Sequence, residues 1–295
     1  MKRCAAAADA AGDAREGTAP PAEQWFLLEH PGPWGRVAFA QSGLDTADVT
    51  ALTTWAERTR GRVLLARRPG RRTNTGAPRR WFRVDSRRGS EEIRTGRVNG
   101  PLTPDAPGER FDGPLYLVCT HGRHDTCCAV RGRPVAAALD RTHPGRVWEC
   151  SHVGGCRFAA ALVLLPHGFT LGGLPADDAT AVVDAYAQGR LDPRWVRGRS
   201  IDPPVVQAAQ HHARIALGPL AADALRPVSV TATEQGQRVT LADPEVSVVL
   251  RERNTSVDRP LTCASTGPGR LRTFDLVSLH APVWNGSGWV GGRNG

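Results

Sequence analysis

The sequence predicts an α/β protein, α+β overall, and three observations support this prediction. Short apolar runs of strand length recur along the chain, and stretches with helical spacing of apolar residues separate several of them. Gly and Pro residues end most of these runs, as expected of turns. The 295 residues, of which 40% are hydrophobic, suffice for about two domains with cores of their own.

The first part of the chain is expected to hold a tail and an α/β unit. Residues 1–22 offer little that can pack, so we expect a disordered tail there. An N-terminal α/β unit is predicted for residues 23–113, because its strand and helix candidates alternate. These candidates are strands at Trp25–Leu28, Arg62–Ala66 and Arg80–Val84 and a helix at Asp45–Arg60.

The second unit, residues 114–200, has the order strand, helix, strand, strand, helix. This order is typical of a thioredoxin-like layer, so a thioredoxin-like domain is expected. Pro166 to Gly168 form the predicted turn of a hairpin between its last two strands. The elements are Leu115–Val118, a helix that begins in Gly132–Ala138, Val147–Cys150, Phe158–Leu165, Phe169–Leu171 and a helix at Asp177–Gly189.

The third unit, residues 201–295, is predicted to be a small α+β C-terminal region. An amphipathic helix candidate comes first and several strand candidates follow it. The tail Asn285–Gly295 is Gly-rich and is expected to be loose. The elements are a helix at Pro203–Leu217 and strands at Val228–Thr233, Arg238–Leu241, Val246–Leu250 and Leu271–Val277.

Charge and hydropathy exclude some classes of function. The net charge is +9, but Lys2 is the only lysine, so the charge reflects a general preference for Arg. Arg58–Arg97 holds 14 Arg with little aromatic interleaving, so no nucleic acid is expected as a partner. No apolar run is long enough to span a bilayer, and no signal peptide is recognisable. We therefore expect a cytoplasmic protein without a membrane partner.

The placement of the seven cysteines suggests a metal or redox site. Cys4 lies in the tail and Cys263 stands alone near the C-terminus, whereas five cysteines fall within 38 residues, between Cys119 and Cys156. A cysteine cluster in a reducing compartment indicates metal binding or thiol chemistry in preference to disulfides. Cys150 lies in a strand, and we expect it to pack in the core.

Two short segments could supply the ligands. Cys119 and Cys128 are the outer cysteines of C-T-H-G-R-H-D-T-C-C, with eight residues between them. His152 and Cys156 form the second pair, in H-V-G-G-C. Each segment follows an apolar strand, so both pairs can project from the same end of one sheet. Two pairs of soft ligands on adjacent loops predict a four-coordinate site.

Thiolate and imidazole ligands suit either zinc or an iron–sulfur cluster. Cysteine pairs in zinc sites usually enclose about two to four residues, so a gap of eight residues is wide for zinc. A [2Fe–2S] cluster needs two ligands for each iron and tolerates wider loops. The spacing therefore favours iron–sulfur over zinc.

Four segments of the sequence resemble the sucrase/ferredoxin-like family. The two cysteine-containing segments carry the resemblance most clearly, and two flanking motifs add to it. The family implies a thioredoxin-like ferredoxin with a [2Fe–2S] cluster, held by a C-x8-C pair and an H-x-G-G-H pair. The segments are Cys119–Pro134, Trp148–Phe158, Leu27–Gly35 and Val196–Ser200.

The resemblance assigns the ligands position by position. Cys119 and Cys128 match the first pair, and His152 matches the first histidine of the second pair. The sequence departs from the family pattern at Cys156, which stands where the second histidine is expected. The resemblance thus implies a cluster with three cysteines and one histidine, with Cys127 as an alternative to Cys128.

These observations predict a ferredoxin-like electron-transfer protein with a [2Fe–2S] cofactor and mixed Cys/His ligation. We therefore expect an electron carrier in preference to an enzyme. An electron carrier needs a redox partner protein as electron donor or acceptor. Two alternatives stay open. One is a structural zinc-binding protein, and the other is a thiol-based redox enzyme or sensor that uses Cys127 and Cys128, although a C-x-x-C motif is lacking.

Overall fold

A computed structural model describes residues 3–70, 78–284 and 289–290 of the chain. The expected loose tail therefore falls almost wholly outside the described residues. The helices are α1 (Cys4–Ala10), α2 (Ala38–Gln41), α3 (Thr46–Thr59), α4 (Thr126–Thr142), α5 (Ala176–Ala187) and α6 (Pro204–Leu217), with a 3-10 turn at Cys156–Phe158.

Sixteen strands are present in the described residues. The first ten are β1 (Gln24–Glu29), β2 (Gly61–Arg67), β3 (Arg79–Asp85), β4 (Glu92–Val98), β5 (Glu109–Arg110), β6 (Leu115–Cys119), β7 (Val147–Cys150), β8 (Leu162–Leu165), β9 (Phe169–Leu171) and β10 (Val196–Arg199). The others are β11 (Arg226–Thr233), β12 (Gly236–Ala242), β13 (Val246–Val257), β14 (Gly269–His280), β15 (Val283–Trp284) and β16 (Trp289–Val290).

One ten-stranded sheet runs through both units that the sequence predicted for residues 23–200. Its strand order is β10-β9-β8-β6-β7-β2-β1-β3-β4-β5. The two units meet where β2 pairs antiparallel with β7, Ala66 opposite Cys150 and Arg67 opposite Glu149. A continuous sheet therefore carries the side chains of both units on common faces.

The thioredoxin-like prediction for the second unit is confirmed by its topology. β6 and β7 are parallel and are connected by α4, as a strand-helix-strand unit requires. β8 and β9 follow as an antiparallel hairpin that pairs with β6. α4 and α5 pack against each other on one side of these strands.

The strands of the sheet alternate between two apolar faces. In β6, Leu115, Leu117 and Cys119 belong to one buried cluster, whereas Tyr116 and Val118 belong to the cluster under α4 and α5. This alternation follows because successive side chains in a strand point to opposite faces of the sheet. Cys119 therefore lies on the sheet face opposite the two helices.

The N-terminal segment differs from the expectation of a disordered tail at residues 1–22. Residues 3–22 are described, and Cys4, Ala5 and Ala22 are buried in the same cluster as Cys119. Asp9 forms an ion pair with Arg131, at 2.6 Å. Small residues on α1 cover an apolar sheet face that would otherwise contact water, and this burial holds the segment in place. The sequence did not reveal this role because residues 3–22 include no large apolar residue.

Helix α4 begins earlier than predicted. The sequence placed its start within Gly132–Ala138, whereas it starts at Thr126. The side chain of Asp125 caps the helix by accepting a hydrogen bond from the backbone N–H of Cys127, at 2.9 Å. Gly132 and Pro134 are poor helix formers and hid the helical pattern. Cys127 and Cys128 therefore lie in the first helical turn.

The C-terminal region is α+β, as predicted. α6 packs on the four-stranded antiparallel sheet β11-β12-β13-β14, and Val206, Ala209, Val239 and Val248 are among the buried residues between them. In the described part of the chain, no helix has the length and apolar character needed to cross a membrane.

Several arginines of the Arg58–Arg97 stretch form ion pairs within the protein. Arg79 binds Asp48 at 2.8 Å, and Arg88 binds Asp202 at 2.6 Å. Both carboxylates are almost completely buried. These arginines are therefore part of the packing of the protein, and the high count of basic residues overstates the charge of a free surface.

Candidate metal centre

Cys119 is the last residue of β6, and its position depends on a close approach of α4. The side chain is buried, and its backbone N–H donates to the carbonyl of Ala161 at 3.0 Å. A Cβ on Gly132 would lie 2.2 Å from the Cys119 carbonyl oxygen. Any other residue at position 132 would push the helix away from the end of the strand.

His152 and Cys156 lie on the loop after β7. Gly154 and Gly155 have φ values of +99° and +74°, which favour glycine and confirm the expected loop. Gly155 also leaves room for Arg197, since a Cβ there would lie 2.5 Å from a guanidinium nitrogen.

The four predicted ligands come together in the fold. Potential ligand atoms of Cys119, Cys128 and His152 all lie within 4.8 Å of one another. Cys156 Sγ lies 3.6 Å from His152 Nδ1, and it groups with Cys128 and Asp125 within the same 4.8 Å limit. Three chain segments thus bring three sulfurs and one imidazole to one end of the sheet.

The donors fit a metal centre in their chemistry, since thiolate and imidazole ligands suit an iron–sulfur cluster or zinc. Cys119 groups with Cys128 and His152, whereas Cys156 belongs to two other groups, one with Cys128 and one with His152, and no single group contains all four. A [2Fe–2S] cluster takes two ligands for each iron, whereas a single zinc ion needs four donors around one point. Three thiols and one imidazole supply the number and kinds of donors that either centre takes.

Hydrogen bonds within the group stabilise two thiolates and the protonated imidazole, and of these only the thiolates are metal-binding forms. A hydrogen bond from Cys128 lowers the pKa of Cys119, although burial opposes this shift. The same donor lowers the pKa of Cys156 to about 7 against the effect of burial, and His152 adds to this effect. Hydrogen bonds to both thiolates raise the pKa of His152 to about 9, although its burial acts in the opposite direction. Cys119 and Cys156 thus favour the thiolate, which is the metal-binding form.

The imidazole is the most accessible of the four groups. Cys119, Cys128 and Cys156 are buried, whereas His152 is half-buried. The ring of His124 stacks on His152 with 3.8 Å between the ring centroids. The site is therefore most open on the side of His152.

His121 connects the site with the N-terminal motif that ends at Gly35. Its Nδ1 accepts a hydrogen bond from the backbone N–H of His152 at 3.3 Å, and its Nε2 lies 2.7 Å from the carbonyl oxygen of Gly35. Trp34 packs edge-on against the ring. No sequence pattern indicated this connection, since 86 residues separate His121 from Gly35.

Arg157 and Cys150 are not ligands in this arrangement. Arg157 forms an ion pair with Asp13 at 3.4 Å and packs over the ring of Phe158. Cys150 is completely buried in the sheet core and belongs to none of the potential ligand groups among the described residues. Its expected role in packing agrees with this position.

Cys127 lies apart from the four predicted ligands. Its sulfur belongs to a second group, with Cys4, Asp125 and Cys263. Sequence reasoning missed this group, because more than 120 residues separate Cys127 from each of the other two cysteines. The count of seven cysteines was the available signal, since the three cysteines among the predicted ligands leave four others.

Comparisons with known proteins agree with the family that the motifs resemble. The family model described as sucrase/ferredoxin-like matches residues 16–198. A solved structure of a variant of the thioredoxin-like [2Fe–2S] ferredoxin from Aquifex aeolicus is similar at 18% identity, over 28% of this chain and 97% of that one, with a TM-score of 0.25. That TM-score is too low to define the fold. No curated protein matches the chain.

Proposed function

This chain belongs to the sucrase/ferredoxin-like family, and from that premise we propose that it is a ferredoxin-like electron-transfer protein with a [2Fe–2S] cluster. Cys119, Cys128, His152 and Cys156 are the ligands in this proposal. The observation that carries it is the convergence of three sulfurs and one imidazole, from three segments, into overlapping groups of potential ligands.

A bound cluster would supply one-electron redox chemistry, and the protein would set its potential and exposure. A histidine replaces a charged thiolate with a neutral ligand, so the oxidised centre is easier to reduce. Centres with two histidines reach about −150 to +300 mV, against about −400 mV for plant-type centres with four cysteines. One histidine and three cysteines give an expected potential between these ranges.

The protein contributes a buried site with one accessible edge. Burial of the three sulfurs would exclude water from a bound cluster, and the half-buried His152 is the most accessible of the four ligands. Arg36 and Arg123 are exposed near this edge. Arg123 precedes His124 in the sequence, and the backbone carbonyl oxygen of Arg36 lies within hydrogen-bond distance of His124 Nδ1. We therefore propose a redox partner protein with an acidic docking surface. Nucleic acid and membrane are not proposed as partners.

A cytoplasmic location belongs to the same proposal. The seven cysteines are free thiols, and a reducing compartment keeps such thiols available for metals. The proposal of a thiol-based enzyme has less support, because Cys127 and Cys128 are both buried and reactive thiols need access to their substrates.

The experiment is anaerobic purification of the full chain, followed by iron and acid-labile sulfide analysis and electron paramagnetic resonance after reduction. We expect two irons and two sulfides per chain and a signal from the reduced cluster. Cys119→Ala should lose iron and colour, whereas the control Cys150→Ala should keep both. A colourless protein with zinc bound by Cys119 and Cys128 would replace the proposal with the structural zinc alternative.

A further inference from the structure

Three cysteines from distant parts of the chain meet beside the start of α4. Cys4 Sγ lies 3.7 Å from Cys127 Sγ and 3.5 Å from Cys263 Sγ, and the last two sulfurs lie 3.4 Å apart. Cys4 comes from α1, Cys127 from the first turn of α4, and Cys263 from the loop between β13 and β14. The three sulfurs form a nearly equilateral triangle.

The carboxylate of Asp125 lies beside one corner of this triangle. Its Oδ2 lies 3.5 Å from Cys4 Sγ. The same oxygen accepts a hydrogen bond from the backbone N–H of Cys263 at 2.7 Å, and Oδ1 accepts one from the N–H of Cys127 at 2.9 Å. These bonds orient the carboxylate toward the three thiols, and all four groups lie within 4.8 Å of one another.

These distances match the edges of a zinc tetrahedron. With Zn–S bonds of about 2.3 Å and Zn–O bonds of about 2.1 Å, tetrahedral geometry gives about 3.8 Å between sulfurs and about 3.6 Å between sulfur and oxygen. The observed edges of 3.4 to 3.7 Å lie close to both values. We propose that Cys4, Asp125, Cys127 and Cys263 form a structural zinc site separate from the cluster ligands.

Other occupants fit the geometry less well. A disulfide joins two sulfurs and would leave the third thiol without a partner. Copper(I) prefers sulfur to a carboxylate, whereas zinc accepts both kinds of ligand.

Charge and access are also consistent with zinc. Binding converts three thiols to thiolates with release of three protons, while Asp125 is already a carboxylate. The site then carries an excess negative charge. Arg157 carries a positive charge near Cys4. Arg157 and Arg259 both form ion pairs with the carboxylate of Asp13. Cys4 and Cys127 are buried and Cys263 is half-buried, so an ion can enter beside Cys263.

A zinc ion in this position would connect α1 and the loop between β13 and β14 to α4, the helix that carries the cluster ligand Cys128. Cys4 and Cys263 are 259 residues apart, and Cys127 is adjacent to Cys128 in the sequence. The ion would fix α1 over the sheet face that contains Cys119, and it would fix the first turn of α4. Structural zinc sites stabilise folds in this manner.

The test is metal analysis of the full chain with zinc and iron measured separately. We expect one zinc per chain in the wild type, and loss of that zinc in Cys263→Ala with unchanged iron. Cys263 is chosen because it lies in a half-buried loop and its truncation disturbs the core least. Cys150→Ala is the matched control and should keep zinc. Cys119→Ala should lose iron and keep zinc, which separates this proposal from the cluster.

A spectroscopic measurement covers the case in which a variant folds poorly. Wild-type protein freed of zinc should bind one Co²⁺ with sulfur-to-metal charge-transfer absorption, and zinc should displace it. Three results would overturn the proposal. The first is that the wild-type protein binds neither zinc nor Co²⁺. The second is that zinc persists in both Cys4→Ala and Cys263→Ala. The third is that non-reduced peptide maps show a disulfide among these cysteines.

Discussion

The carboxylate of Asp125 accepts a 2.7 Å hydrogen bond from the backbone N–H of Cys263, which lies 138 residues further along the chain. Its other oxygen accepts from the N–H of Cys127 and so caps α4. Burial alone would raise the pKa of this carboxyl, but the two backbone hydrogen bonds hold the pKa below its ordinary value. One side chain thus fixes the start of the ligand-bearing helix and the C-terminal loop together.

Asp125→Ala should destabilise the fold. Loss of an N-cap costs about 0.5–2 kcal/mol, and a buried N–H left without an acceptor costs about 1–3 kcal/mol. The control is Asp45→Ala, since Asp45 precedes α3 but makes no capping hydrogen bond. Denaturant unfolding should show a clear decrease in the free energy of unfolding for Asp125→Ala and little change for Asp45→Ala. Equal losses would contradict the role assigned to Asp125.

Cys128→Ala should abolish iron binding, whereas Cys127→Ala should leave it intact. The reason is that Cys128 groups with Cys119 and Cys156, whereas Cys127 groups with Cys4 and Cys263. Iron analysis and visible absorption of the two variants, purified side by side, provide the comparison. The reverse pattern would make Cys127 the ligand.

Arg197→Met should lower the reduction potential. Arg197 is buried beneath the ligand loop and donates to the carbonyl of Gly154 at 2.9 Å. Burial lowers its pKa to about 9, and the neighbouring arginines act in the same direction, yet it stays charged at neutral pH. A nearby positive charge favours the reduced state, which carries one more negative charge.

The matched control for this charge is Arg214→Met. Arg214 is also buried and also donates to backbone carbonyls, but it lies on α6 and its carbonyl partners are residues 221, 222 and 224. Potentiometry should show a downward shift for Arg197→Met and none for Arg214→Met. A similar shift in both variants would indicate a general structural effect instead of a local charge.

His152→Cys should keep the cluster and lower its potential. A fourth thiolate adds negative charge to the oxidised centre and moves it toward the range of plant-type centres, about −400 mV. His124→Phe is the control, because it preserves a ring stacked on His152 and should leave the potential near the wild-type value. An unchanged potential in His152→Cys would argue against His152 as a ligand.

Asp202→Asn should destabilise the contact between the large sheet and the C-terminal region. The buried Asp202 binds both guanidinium nitrogens of Arg88, at 2.7 and 2.6 Å, and accepts from Gln210 of α6 at 3.1 Å. Breaking a buried ion pair costs about 3–5 kcal/mol. The exposed pair of Arg58 and Asp105 is the control, and Asp105→Asn should cost at most about 1 kcal/mol. Denaturant unfolding measures both effects.

Local sequence patterns were sufficient for the strands that precede the ligand segments, but not for the start of α4. The apolar runs that become β6 and β7 placed both ligand segments after strands, and the confirmed fold class follows from their order with α4 and α5. The cysteine spacing and the family motifs then proposed four donors that the fold brings within a few ångströms. Apolar runs and motif spacings involve residues that are close in the sequence, so they can be recognised without the structure.

The tertiary structure alone decided which residues meet across long separations. It brought Cys4, Cys127 and Cys263 together, placed α1 on the sheet, and put Gly35 in contact with His121. It also joined the two predicted units into one sheet through β2 and β7. Such contacts depend on packing between segments that share no periodicity or motif, so the sequence by itself could supply the cysteines but not their grouping.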